Sequence, residues 1–246
     1  MKIMDVVCLR KFSLKLSIVL AVAIILSTAI SSLATADETH EYVLVTGFEP
    51  FGGDKTNGSW EAVRHLQGKR FSHKTVVVFQ LPVVWGEAEN EIHRLIEQYH
   101  PVAVIAFGQA GAGPVKIEMV AHNVRQSIPD NRGALPRQLL ISKTAPLTLK
   151  TTLNVDAILK HLHEAGIPAI ESNDAGGYLC NNIFFALMTN PGAKYALNIP
   201  RGFVHVPPLN SSVATSDDGN ILFDKRVLEL VADIVAETVA DSLSLK

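Results

Sequence analysis

Thr75-Val76-Val77-Val78-Phe79-Gln80-Leu81, then the stretch from Trp85 to His100, then Val102-Ala103-Val104-Ile105-Ala106-Phe107, decides the fold class. The two outer runs are short, rich in β-branched residues and nearly all apolar, as strands covered on both faces are. Between them, Ala88, Ile92, Leu95, Ile96 and Tyr99 share one helical stripe, with Glu87, Glu91, Arg94 and Gln98 elsewhere. That spacing predicts an amphipathic helix. Strand, helix, strand is the unit of an α/β protein. Working outward, further strands are expected at Tyr42 to Thr46, Ala169 to Glu171 and Phe203 to Val206. Asn154 to Gly166 reads as a helix with Asn154 as N-cap and Gly166 just past its end. Asp224 to about Leu243 reads as another, with Val227, Leu230, Val231, Ile234 and Thr238 on the stripe that closes one face of the sheet.

Two segments break the alternation. Val115 to Val124 places Val115, Ile117, Met119 and Ala121 against Lys116, Glu118, Val120 and His122, the pattern of a half-exposed strand or hairpin arm. Ser127 to Leu149, with Pro129, Gly133, Pro136 and Pro146, reads as a long loop. A loop of that length in one domain is usually functional or an oligomer contact.

The N-terminus has a composition of its own. Lys2, Arg10, Lys11 and Lys15 precede a charge-free apolar run from Leu16 to Ile30, followed by Ser31-Ser32-Leu33-Ala34-Thr35-Ala36 and acidic Asp37-Glu38. This is the layout of a secretory signal, with cleavage expected after Ala36. The apolar run is shorter than the ~20 residues of a spanning helix, so an uncleaved anchor is the poorer reading and no stable membrane association is expected after cleavage. Residues 37–246 are then one domain, expected in the periplasm or secreted. Losing 1–36 removes 4 of 22 basic residues and, of 24 acidic ones, only Asp5; 18 against 23 remain, a net charge of −5. A mildly acidic surface without a basic run offers nucleic acid no footing. Cys8 leaves with the signal, so Cys180 stands alone and cannot form an intramolecular disulfide.

Several motifs bear on chemistry. Gly47-Phe48-Glu49-Pro50-Phe51-Gly52-Gly53 lies between a strand and a helix starting near Ser59, but lacks the Gly-Lys-Ser/Thr ending of a phosphate loop. Its two Phe rings suit a small neutral ring instead. Gly108-Gln109-Ala110-Gly111-Ala112-Gly113 has the wrong spacing for a dinucleotide fingerprint, and a strand-like segment follows it; a turn that lets backbone approach a ligand, with Gln109 as donor and acceptor, fits better. His161 and His163 flank Leu162 on different helix faces and read as solvated, and no zinc-type Cys or His cluster occurs, so neither cofactor nor metal is expected. Asn173 to Asn182 leads through Gly176-Gly177 into an apolar helix, Ile183 to Met188, which sets Cys180 in the first helical turn. There the helix dipole and free N–H groups favour a thiolate and can hold an oxyanion. In Gly202-Phe203-Val204-His205-Val206-Pro207-Pro208, a proline pair ends a strand beside His205, a good place for a general base.

Four segments taken together resemble the pyroglutamyl peptidase I (pyrrolidone-carboxylate peptidase) family: Leu44 to Gly53 with Asn57 and Ser59 to Val63, Gly108 to Gly111, Asp174 to Asn181, and Phe203 to Leu209. Their order and spacing span essentially all of residues 37–246. The resemblance implies a three-layer α/β/α domain with a twisted mixed sheet, commonly a tetramer, that hydrolyses N-terminal pyroglutamate from peptides. By the same resemblance Cys180 is the nucleophile, His205 the base and acid, and Glu118 the carboxylate that orients the histidine. Phe48 and Phe51 sandwich the lactam, with Asn57, Gln109 and Tyr178 nearby. A lactam lacks an ammonium group, so its pocket needs apolar walls and a few hydrogen-bonding groups but no acidic anchor. This chain departs from the family at Gly58, Ser127 and Asn182, where proline, arginine and histidine are frequent; Arg125 lies two residues before Ser127. Two other readings are a catalytically weak binder of pyroglutamyl peptides, and an amidase acting on another lactam or acyl group.

Overall fold

The computed structural model describes residues 41–189, 199–215 and 219–244; the expected signal, with Cys8 and the cut after Ala36, lies outside them. In chain order the elements are β1 (Tyr42–Phe48), α1 (Gly58–Val63), β2 (Arg70–Phe71), β3 (Lys74–Leu81), α2 (Glu87–Tyr99), β4 (Ala103–Gln109), β5 (Val115–Glu118) and β6 (Val120–His122). There follow β7 (Thr148–Lys150), α3 (Val155–Glu164), β8 (Ala169–Ser172), α4 (Leu179–Met188), β9 (Arg201–Val206), β10 (Ser211–Ala214), β11 (Asn220–Phe223) and α5 (Lys225–Ser242). Seven strands form the main sheet in the order β2-β3-β1-β4-β9-β5-β8. Pairing is parallel except at β2–β3 and β5–β9. Each expected strand is present, within a residue or two at its ends.

Side-chain alternation along the strands divides the core into two layers. Val43, Val45, Ile105, Phe107, Val204 and Val206 pack with residues of α1, α3 and α5. Leu44, Val77, Val104, Ala106 and Phe203 pack with residues of α2 and α4. The result is the three-layer α/β/α arrangement with a mixed, largely parallel sheet. Helix α2 has only Gly86 as its N-cap, with Glu89 reaching back to the Gly86 N–H at 2.9 Å. Burial of Ala88, Ile92, Leu95 and Ile96 matters more: at roughly 2 kcal/mol for each large side chain it outweighs the ~1 kcal/mol of a good cap. Asn154 caps α3 by accepting from the Ala157 N–H at 3.2 Å, and Gly166 has φ +73° just beyond the helix.

Two expectations need correction. On α5 the buried face is Leu228, Val231, Ala232, Val235, Ala236 and Val239, while Leu230, expected on the stripe, is 43 % exposed. The rest of the expected stripe holds, with Val231 and Thr238 buried and Val227 and Ile234 packed against the core; Ala232, Ala236 and Ala240 extend the buried face. Likewise β5 is no half-exposed arm: it lies between β9 and β8, and Glu118 is completely buried. Alternation shows that Lys116 and Glu118 share a face; it cannot show that the Glu118 end of that face is covered. Past Met119 the chain leaves the main sheet, and β6 pairs instead with β7.

Ser127 to Leu149 is irregular up to β7, as expected, yet polar side chains anchor it. Asp130 accepts N–H bonds from Trp85, Arg132 and Ala134 at 2.8 to 3.0 Å. Asn123 both donates to and accepts from the Ser142 backbone at 2.8 Å.

Candidate active site

In an open parallel sheet, ligands bind where adjacent strands send their connections to opposite sides, beyond the carboxyl ends. Here that point lies at β1, which has β3 on one side and β4 on the other. Phe48 ends β1, Gln109 ends β4, and His205 is the penultimate residue of neighbouring β9. These three side chains, with Phe51, Asn57, Tyr178 and Cys180, line a cavity of about 240 Å³.

Cys180 is the second residue of α4, and Tyr178 at the N-cap supplies no side-chain acceptor to the helix's first N–H groups. The half-buried thiol is free. Its sulfur occupies a notch created by a missing side chain: a Cβ on Gly108 would lie 2.8 Å from Sγ and 2.7 Å from the Phe203 ring. Gly108 pairs with His205 in the β4–β9 register, so the notch adjoins the imidazole. A second close approach fixes the loop before the helix. A Cβ on Gly177 would meet the Gln126 side chain at 2.4 Å, and the Gln126 N–H donates to the Gly177 carbonyl at 2.7 Å.

His205 is 6 % exposed, and its Nδ1 lies 2.8 Å from Oε1 of Glu118. In the antiparallel β5–β9 ladder Lys116 faces His205 and Glu118 faces Phe203, so the carboxylate reaches the ring diagonally from one pair deeper. Burial by itself lowers the pKa of His205. The charge and hydrogen bond of Cys180, and then those of Glu118, more than offset this and raise it from 6.5 to about 9. The ring also stands edge-on to Phe203, with centroids 5.0 Å apart. An imidazole between a sulfur and a carboxylate can pass a proton either way, and an uncapped helix start can hold developing negative charge.

The expected ligand-binding residues all reach the cavity, each with a definite support. Phe48 is buried and lies 6.5 Å from Phe203, centroid to centroid; Phe51 lies 6.4 Å from Tyr178. Trp85 backs Tyr178 edge-on at 5.4 Å, and the Tyr178 hydroxyl donates to the Pro129 carbonyl at 3.0 Å. Asn57 is largely committed within the chain: Oδ1 accepts from the Ser59 N–H and hydroxyl, and Nδ2 donates to the Glu49 carbonyl at 2.9 Å. One amide hydrogen remains for the cavity. Gln109 Oε1 accepts from the Gly58 N–H at 2.5 Å, which turns its NH2 group the other way.

Other residues depart from expectation or escaped the sequence reading. Arg125 and Ser127 are both absent from the cavity wall; Arg125 donates from Nε to Asn182 Oδ1 at 2.7 Å and pairs with Glu89 at 3.2 Å. His161 and His163 are exposed but bonded, to the Thr238 hydroxyl and the Ala169 carbonyl respectively. The wall also carries two charges where none was expected, Lys116 and Asp174. Asp174 is exposed, and its Oδ1 accepts the Gly176 N–H at 2.8 Å. Phe203, which touches the Gly108 notch, was singled out by no chemistry of its own, only by its place in an apolar strand and at the start of the Phe203 to Leu209 segment.

The fold and the thiol–imidazole–carboxylate grouping define a cysteine-type hydrolase on an α/β/α scaffold. The comparisons name the kind. The family model for pyroglutamyl peptidase matches residues 41–240. The pyrrolidone-carboxylate peptidase of Cupriavidus pinatubonensis is 35 % identical over 206 residues, covering 83 % of this chain and 95 % of that protein. That of Gloeobacter violaceus is 41 % identical over 169 residues, covering 68 % and 82 %. Among solved structures, pyroglutamyl peptidase I of Bacillus amyloliquefaciens superposes with a TM-score of 0.73 at 31 % identity, covering 82 % of this chain and 98 % of its own. A mutant pyrrolidone carboxyl peptidase of Pyrococcus furiosus also gives 0.73 at 31 % identity, covering 82 % and 99 %. The chain belongs to the pyroglutamyl peptidase family.

Proposed function

We propose that this protein removes pyroglutamate from the N-termini of peptides, with Cys180 as nucleophile, His205 as base and acid, and Glu118 as the group that orients the imidazole. The observation that supports this best is the 2.8 Å contact between His205 and a fully buried Glu118, beside a free thiol that opens onto a ring-lined cavity. The lactam of pyroglutamate is flat, neutral and half apolar. Phe48, Phe51 and Tyr178 offer it aromatic faces, and the free amide hydrogens of Asn57 and Gln109 offer it donors.

The geometry supports the following steps. The Cys180 thiolate attacks the pyroglutamyl carbonyl carbon, and the oxygen's negative charge develops near the first N–H groups of α4. His205 gives its proton to the departing peptide nitrogen as the C–N bond breaks, which leaves a thioester. Water then attacks the thioester while His205 takes its proton; the C–S bond breaks, the thiolate returns and pyroglutamate leaves. Glu118 holds Nδ1–H toward itself, so that Nε2 does the proton transfer.

The purified protein is expected to release pyroglutamate from a pyroglutamyl arylamide, and to lose that activity when iodoacetamide alkylates one thiol per catalytic domain. Turnover that survives full alkylation of Cys180 would overturn the reading. Binding of pyroglutamyl peptides without turnover would favour a receptor instead.

We also propose that residues 1–36 direct export and are removed, on the basis of the basic start, the apolar run and Ala34-Thr35-Ala36. Intact-mass measurement of the protein from expressing cells should show a chain that begins at Asp37; a full-length mass in every fraction would refute export by this route.

A further inference from the structure

We propose that Lys116 makes the cavity select peptides whose residue after pyroglutamate carries a carboxylate, an inference that rests on the peptidase reading above. Val115 and Ile117 point into the core layer of α1, α3 and α5, so Lys116 between them points to the opposite face, where Cys180 lies. It stands directly across the ladder from His205 and lines the same cavity. Among the described residues its ammonium forms no ion pair and no hydrogen bond.

A half-buried lysine in mid-strand ordinarily lays its stem on apolar surface and sends its charge to water. Here the open volume beside it is the catalytic cavity. The pyroglutamyl ring has no charge for an ammonium to meet, and its aromatic partners Phe48 and Phe51 come from the β1 side. The leaving residue does come near, because its nitrogen must take a proton from His205, and Lys116 is the neighbour of His205 across the strands. A carboxylate on that residue therefore finds an unpaired cation. Asp174, the other charge on the wall, is exposed and has one oxygen bonded to the Gly176 N–H, so solvent and salt screen it more than the half-buried ammonium.

The test compares pyroglutamyl-glutamate amide with its neutral isostere pyroglutamyl-glutamine amide, as kcat/KM at low salt. The parent is expected to prefer the glutamate substrate roughly five-fold, mainly through KM, the upper range for a partly exposed ion pair. Lys116→Met should bring the ratio to about one, Lys116→Glu should reverse it, and Lys116→Arg should keep it. The ratio within each variant is the readout, so a general loss of activity cancels. If Lys116→Met fails to fold, the parent decides the matter, since the preference must shrink as NaCl rises. Equal turnover of both substrates by the parent, or a preference that survives Lys116→Met or high salt, overturns the inference and leaves the peptidase reading intact. Failure to cleave either substrate overturns both.

Discussion

Replacing Cys180 with serine leaves a folded protein that releases pyroglutamate from a pyroglutamyl arylamide at least about a thousand-fold more slowly. The smaller Oγ fits the notch above Gly108 that now holds Sγ, so stability changes little. Reactivity changes greatly, because an alcohol has none of the thiol's readiness to ionise beside an imidazole. The fall should lie in kcat, since the ring-lined wall that grips the lactam is untouched; calorimetry with an uncleaved pyroglutamyl peptide should find its affinity within a few-fold of the parent. Equal turnover by parent and variant would mean that another group attacks the carbonyl.

Glu118→Gln is expected to lower kcat/KM by roughly a thousand- to ten-thousand-fold, the scale seen when the acid of such a triad becomes its amide. Glutamine fits the same space, but its NH2 can donate to Nδ1 and favour the wrong imidazole tautomer. Since Glu118 is wholly buried, water cannot take over its role. The substitution also removes the lesser of the two partners, after Cys180, that raise the His205 pKa to about 9. The thiolate–imidazolium pair loses its proton as pH rises through that value, so the alkaline limb of kcat/KM should lie near pH 9 in the parent and lower in the variant. An unmoved limb would show that Glu118 does not act on the ring. The same shift enters stability with a definite sign. The folded protein holds the His205 proton more tightly than the unfolded chain, so this contribution is complete below about pH 6.5 and is lost as pH climbs to about 9. The urea midpoint should fall across that window, and fall less in Glu118→Gln.

The reading of Cys180 shows how far local chemistry carries. Gly176-Gly177 before an apolar run is enough to predict a helix start, and the helix does begin at Leu179. Whether the thiol is buried filler or an exposed nucleophile depends on what lies opposite it, and Gly108 is 72 positions away in the chain. Glu118 makes the same point in reverse. Strand alternation in Val115 to His122 assigned it correctly to the face of Lys116, yet suggested solvent there. The burial comes from contacts between distant segments, His205 of β9 among them, which strand alternation by itself does not report. The stripe on α5 was right except at Leu230, and it missed Ala232, Ala236 and Ala240, because alanines carry little hydrophobic signal.

The sequence alone determined the α/β class, most strands and helices, the starts of α3 and α4, and the residue types able to do thiol chemistry. These depend on periodicity, caps and turns, which act over a few residues. Only the tertiary structure decided that β5 lies antiparallel against β9, which brings Glu118 to His205, and that the absent side chain of Gly108 makes room for the sulfur. It also decided that Lys116 faces the cavity instead of solvent. Those outcomes follow from sheet order and helix packing between distant segments, where the free energy comes from surfaces that meet only once the whole chain has closed.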